Sequence, residues 1–339
     1  MAIIAAPLRT LFNSKVCRSR AVTLMPPVSR IPTEFDRRLR MPDGRWLAYA
    51  DYGDPTGRPV FSFHGGLSCR LEVRFAAAFC RGEGIRLIAI DRPGIGLSDY
   101  QSKRSILDWP EDVAHLALML GINHFAVLGW SAGGPYALAC AHCIPQLLTN
   151  VGTIGCMAPV HGRPETVRES GLQVDRILFP LVRQSPWIAA QFLRATKHLS
   201  PALLKRNLLR EVVCSADRAV IESLDGAEMF DFYYEALRRG PWGTVQDYCL
   251  LGRAWGFPLQ EISKKIHLWQ GEDDRIVPPC QARWLAERIP AAQLHLVPGQ
   301  GHFLLRNSFG EILTTLTEVP TQNPAYCTQS QLSLSGEGR

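Results

Sequence analysis

Ser131 stands at the centre of Gly129-Trp130-Ser131-Ala132-Gly133, with a glycine two residues away on either side. A serine hydroxyl is a poor nucleophile at neutral pH and needs a base beside it. His302, in the glycine-flanked turn Gly301-His302, is placed to be that base. Asp274, in Gly271-Glu272-Asp273-Asp274, is the carboxylate expected to fix the imidazole tautomer and stabilise the imidazolium, with Asp273 as its immediate rival. Together these residue types would perform covalent acyl transfer through a serine nucleophile.

Those side chains are far apart in sequence, so the elements before them must bring them together. The apolar run Phe125-Ala126-Val127-Leu128 predicts a strand into Ser131, and Pro135-Tyr136-Ala137-Leu138-Ala139 predicts a helix out of it. Strand, sharp turn and helix form the context that this serine motif requires. Residues 36–53 predict two antiparallel strands around Asp43-Gly44. Further strands are expected at 59–63, 86–90, 150–156, 266–269 and 293–297. Helices are expected at about 69–82, 109–120 with Asp108 as cap, to 143 after Ser131, 280–288 and 303–318. This alternation predicts an α/β fold with a mostly parallel, doubly wound sheet and helices on both faces. Ser131, Asp274 and His302 each follow a different strand, and such loops converge at the carboxyl ends of the strands.

The alternation stops at 158–262. That stretch is rich in aromatics (Phe179, Trp187, Phe192, Phe230, Tyr233, Tyr234, Trp242, Trp255, Phe257), broken by prolines, and has no convincing strand. It reads as a helical insertion between the sixth and seventh core strands. The expected organisation is a basic tail or presequence over 1–33, a core over 34–157 and 263–319, a helical cap over 158–262 and a polar, disordered tail over 320–339.

Composition narrows the function classes. The chain has 339 residues, 46% of them hydrophobic, and a formal charge of +6. Arg9, Lys15, Arg18, Arg20 and Arg30 lie in the acid-free stretch 1–33, so five of the 37 basic residues are confined there and 32 face 31 acids elsewhere. The body is near neutral and gives no support for nucleic-acid binding. No apolar run approaches the roughly 20 residues of a membrane span. Residues 1–33, with Ile4, Leu8, Leu11 and Phe12 on one helical face, are similar to a mitochondrial presequence, with a plain tail as the equal alternative. Ten scattered cysteines read as free thiols in an intracellular compartment, cytoplasmic or mitochondrial. Cys140 and Cys143 read as small buried helix residues rather than metal ligands or a redox pair. No cofactor or metal is expected. Asp91-Arg92-Pro93-Gly94-Ile95-Gly96-Leu97-Ser98-Asp99 lacks the pattern of a phosphate or dinucleotide loop and reads as a structural turn beneath the site.

The segments His64-Gly65-Gly66, Asp91 to Asp99, Gly129 to Gly134, Gly271 to Pro278 and Gly301-His302, in that order, resemble the α/β-hydrolase fold superfamily with a helical cap. The resemblance spans about residues 36–318. It implies Ser131, Asp274 and His302 as catalytic residues, Asp274 matching the family position. It also implies the backbone amides of Gly66 and Ala132 as oxyanion hole, and His64 as a support for its loop. The implied activity is a serine hydrolase acting on an ester, lactone or thioester of a hydrophobic small molecule. A carbon–carbon bond hydrolase or a secondary-metabolite tailoring enzyme on the same residues is the alternative, and a non-catalytic ligand-binding protein a more distant one. No feature of the sequence bears on oligomeric state.

Overall fold

The computed structural model describes residues 36–318, apart from positions 213 and 225 and the side chains of residues 226–229. The expectations for 1–33 and 320–339 lie outside the described residues.

Eight strands form one sheet: β1 (Arg37–Arg40), β2 (Trp46–Gly53), β3 (Arg58–Phe63), β4 (Ile85–Ile90), β5 (Phe125–Trp130), β6 (Leu148–Ile154), β7 (Ile266–Gly271) and β8 (Ala292–Val297). Their order is β1-β2-β4-β3-β5-β6-β7-β8. β2 runs antiparallel to both β1 and β4, and every other pairing is parallel. Every residue of β5 and β7 is buried. Central parallel strands covered on both faces read as continuous apolar runs for this reason.

Helices cover both faces. Before the insertion these are α1 (Ala77–Gly82), α2 (Trp109–Met119) and α3 (Gly134–Cys143), the last packed on β5 and β6. The helix expected over 69–82 is shorter than its periodicity suggests. Residues 69–73 form turns, because Arg70 and Glu72 face sideways into the core. The backbone N–H and guanidinium of Arg70 both donate to Asp91, and Glu72 accepts the Gly65 amide at 2.9 Å. Asp108 does not cap α2 either. Its carboxylate turns back to accept the Ser105 amide, closing a short 3₁₀ turn ahead of the helix. On α3 Cys140 is buried as expected, whereas Cys143 is exposed at the helix end.

Between β6 and β7 the chain is helical: α4 (Glu165–Glu169), α5 (Gln173–Gln184), α6 (Pro186–Thr196), α7 (Pro201–Glu211), α8 (Ser215–Ser223), α9 (Gly226–Ala236) and α10 (Trp242–Leu251). Most of its prolines fall at helix ends, whereas Pro180 lies inside α5. Pro186 and Pro201 open α6 and α7, where a missing N–H costs nothing, and Ser185 and Ser200 accept the Ile188 and Leu203 amides as caps. The core then resumes with β7, α11 (Pro279–Ala286), β8, α12 (Leu304–Asn307) and α13 (Phe309–Thr317). The single final helix expected over 303–318 is broken at Ser308.

Insertion and core are joined by a buried ion network. Asp247 on α10 accepts from Arg92 Nε at 2.8 Å, from the Arg104 guanidinium and from Tyr136 Oη at 3.0 Å. Burial opposes the Asp247 charge, but the two guanidiniums prevail and hold its carboxyl down at about 2. Arg92 also donates to the carbonyls of His64 at 2.5 Å and Gly65 at 3.1 Å. The turn after β4 thus braces the loop after β3. Within it, Asp91 accepts the Leu97 amide and a buried Ser98 hydroxyl donates to the Asp91 carbonyl.

Candidate active site

Ser131 sits where β5 stops and a 3₁₀ turn leads into α3. Its φ is +52°, a left-handed conformation that costs a non-glycine residue about 1–3 kcal/mol. The surrounding glycines make the turn possible. A Cβ on Gly129 would overlap the Gly133 carbonyl, and one on Gly133 would overlap the Phe63 carbonyl at the end of β3. The strained turn, the sheet end and α3 therefore meet with only main chain between them. The Gly134 amide, the first of α3, donates back to the Ser131 carbonyl and closes the turn.

His302 follows β8, and Asp274 follows β7. The structure brings these two together: His302 Nδ1 lies 2.8 Å from Asp274 Oδ2. The other Asp274 oxygen accepts the amides of Ile276 and Val277, each at 2.8 Å, and Gln270 Nε2 donates to Oδ2 at 3.1 Å. With acceptor-only oxygens facing it, Nδ1 carries the proton and Nε2 keeps its lone pair. Asp273, by contrast, is exposed, and its amide donates to the Gln300 carbonyl. Burial opposes the imidazolium of His302, but the carboxylates of Asp274, Asp217 and Asp175 outweigh it and raise the pKa above 6.5.

Two contributors to this arrangement were not read from the sequence. Gly155, just beyond β6, has φ +53°, and a Cβ there would lie 3.0 Å from the His302 ring and 3.3 Å from Asp274 Oδ2. A side chain would enter the space that the pair occupies. Its only sequence signal is a glycine ending a strand. The second is Asp217 on α8, in the insertion. Its two oxygens accept the backbone amides of His302 at 2.7 Å and Phe303 at 2.8 Å. Trp130 Nε1 donates to the His302 carbonyl at 3.2 Å. The main chain of His302 is thus held from the insertion on one side and from the serine strand on the other.

Gly66 and Ala132 are neighbours: a Cβ on Gly66 would lie 3.6 Å from that of Ala132. His64 braces the loop from below. Its Nδ1 lies 2.8 Å from the Gly65 carbonyl, and its Nε2 accepts the Arg92 amide at 3.3 Å. Burial and the Arg92 charge push its pKa well below 6.5, so it remains neutral. Glu72, beneath the Gly65 amide, is pushed by burial up to about 7.

Ser131, His302, Gly66 and Ala132 line one cavity of about 420 Å³. The insertion contributes most of its remaining wall, including Phe179, Phe192, Phe230 and Tyr233. Other aromatics of the insertion do not line it: Trp187 and Trp242 are exposed. Among the described residues no group of histidines, cysteines and carboxylates is arranged to hold a metal ion. No helix among them is long and apolar enough to cross a membrane.

The model of the alpha/beta hydrolase family matches residues 60–312. The chain belongs to that family. The relatives of this alpha/beta hydrolase include a proline iminopeptidase from Xylella fastidiosa, 32% identical over 135 residues; the match covers 38% of this chain and 41% of that one, less than half the relative's length. Among solved structures, an esterase from Exiguobacterium antarcticum superposes with a TM-score of 0.63 at 19% identity, covering 83% of this chain and 99% of the other. The esterase RhEst1 from Rhodococcus sp. superposes with a TM-score of 0.61 at 21% identity, covering 84% and 99%. At these identities the likeness to the esterases is one of fold.

Proposed function

We propose that the protein is a serine hydrolase that cleaves an ester, lactone or thioester of a hydrophobic small molecule. The observation that carries this reading is that Ser131 and the Asp274-paired His302 line the same cavity, whose wall is otherwise largely apolar. His302 Nε2 takes the Ser131 proton as Oγ attacks the carbonyl carbon. The resulting oxyanion is held by the amides of Gly66 and Ala132, each such donor being worth about 2.7–4 kcal/mol. His302 then returns the proton to the leaving alcohol or thiol, and water, activated by the same imidazole, releases the acid from the acyl-enzyme. The helices between β6 and β7 act as a cap that gives the acyl group an apolar surrounding and excludes water. Free thiols such as Cys69, Cys80 and Cys156 support an intracellular setting.

A fluorophosphonate probe tests the nucleophile. The wild type labels, whereas Ser131→Ala and His302→Ala do not; equal labelling of Ser131→Ala overturns the assignment. Turnover of p-nitrophenyl esters then separates ester hydrolysis from the carbon–carbon alternative, which labelling without any ester turnover would favour.

A further inference from the structure

The cavity wall is largely apolar, and one of its polar groups stands close to the proposed oxyanion loop. Asp175, on α5, accepts the Tyr248 hydroxyl at 2.7 Å on one oxygen and the Ser170 hydroxyl at 3.0 Å on the other. All three residues line the cavity. Tyr248 Oη lies 3.5 Å from where a Cβ on Gly66 would stand, so the pair is beside the point where a bound carbonyl would rest.

Among the described residues Asp175 forms no ion pair and no lysine or arginine lines the cavity. The nearest cation in sequence, Arg176, is turned away and donates to the carbonyls of Ser170 and Arg168. Burial raises the Asp175 carboxyl, and the two hydroxyl donors and His302 only partly offset it. A carboxylate offers about four lone-pair sites, and two hydroxyls fill two of them. If the pair served only to tie α5 to α10, an apolar contact would do so without desolvating a carboxylate. Glu211, the second carboxylate in the lining, adds negative potential to the same space.

We propose that Asp175 and Tyr248 select the substrate: the cavity takes acyl groups that carry a hydrogen-bond donor, a hydroxyl or an ammonium, within two bonds of the scissile carbonyl. This rests on the serine-hydrolase reading. The donor occupies the open lone pairs of Asp175 and Tyr248 Oη while the rest of the acyl chain lies against the aromatic wall. Sites built to hydrogen-bond a substrate reject analogues lacking the group, because buried polar atoms are then left unpaired. With Asp175 already partly satisfied, the discrimination is about 10- to 100-fold in kcat/KM rather than larger.

The test compares methyl octanoate, methyl 2-hydroxyoctanoate and methyl 2-aminooctanoate, with acid release followed in a pH-stat. At least one donor-bearing ester is expected to lead octanoate by about tenfold or more, and which one leads tells hydroxyl from ammonium. Asp175→Asn is expected to cut the amino ester's advantage at least tenfold, and Tyr248→Phe to cut that of the hydroxy ester. Octanoate turning over as fast as both substituted esters overturns the proposal, as does a selectivity ratio that Asp175→Asn and Tyr248→Phe both leave unchanged. Fluorophosphonate labelling of each protein separates the two levels. A wild type that labels without selectivity overturns only the acyl preference, and one that does not label overturns the hydrolase reading beneath it. Should Asp175→Asn fail to fold, the wild-type ratios and Tyr248→Phe decide.

Discussion

Two buried aspartates on the inserted helices have surroundings that differ in kind. Asp247 meets two buried guanidiniums and is held as an anion at about 2; Asp175 meets two hydroxyls and, among the described residues, no lysine or arginine, and its carboxyl is raised. The first is spent on structure, since every strong partner comes from the protein and the charge is neutralised on the spot. The second keeps open acceptor sites inside a cavity. The contrast separates the junction that holds the insertion down from the surface that the insertion offers to a ligand. Mutations on the two sides should therefore fail in different ways.

The largest effect is expected on the cavity side. Asp274→Asn keeps the shape but lets the imidazole take the wrong tautomer, so kcat falls about 10⁴-fold while the urea midpoint moves little. A loss of stability without that loss of rate would place Asp274 on the structural side instead. At the junction the pattern reverses. Asp247→Ala leaves Arg92 and Arg104 buried and uncompensated, which costs about 3–5 kcal/mol in equilibrium unfolding. An unchanged midpoint would show that the junction does not hold the insertion.

Asp217 belongs to both sides, because it sits on the insertion yet grips the main chain of His302. Asp217→Ala is expected to lower kcat about 10- to 100-fold. It removes one of the carboxylates that raise the His302 pKa, so the acid limb of kcat/KM moves to lower pH. A rate loss with an unmoved acid limb would mean that Asp217 acts on packing alone. The smallest effect concerns the wild type's pH dependence. On the proposed mechanism hydrolysis needs neutral His302, so activity is expected to rise with pH through a midpoint above 6.5. The charged His302 contributes stability that is fully present below 6.5 and is lost as pH rises through its raised folded value, so unfolding free energy and activity move in opposite directions there. Parallel pH profiles for the two would contradict the assignment.

The sheet was largely readable in the sequence because parallel strands are short apolar runs bounded by glycines, as at Phe125–Trp130 and Ile266–Gly271. The positions of Ser131, Asp274 and His302 were readable because each follows such a run. Residues 69–73 were misread because their apolar spacing suits a helix, while Arg70 and Glu72 are drawn sideways by Asp91 and the Gly65 amide. Asp217, Asp175 and Tyr248 carried no signal. Each is one polar residue among several on a helix of the insertion, and only the packing of the insertion turns it toward the site. Gly155 was invisible for the opposite reason, since what matters there is the absence of a side chain.

The order of the elements has a consequence for biosynthesis. The serine turn, with β3, β4 and β5 around it, lies in the first half of the chain, whereas His302 follows the last strand and its amide pairs with Asp217, 85 residues earlier. On the proposed roles, a nascent chain on the ribosome carries a formed nucleophile turn with no base beside it. Hydrolytic competence arrives late, in a single step, when the segment around Gly301 emerges and finds the insertion already in place.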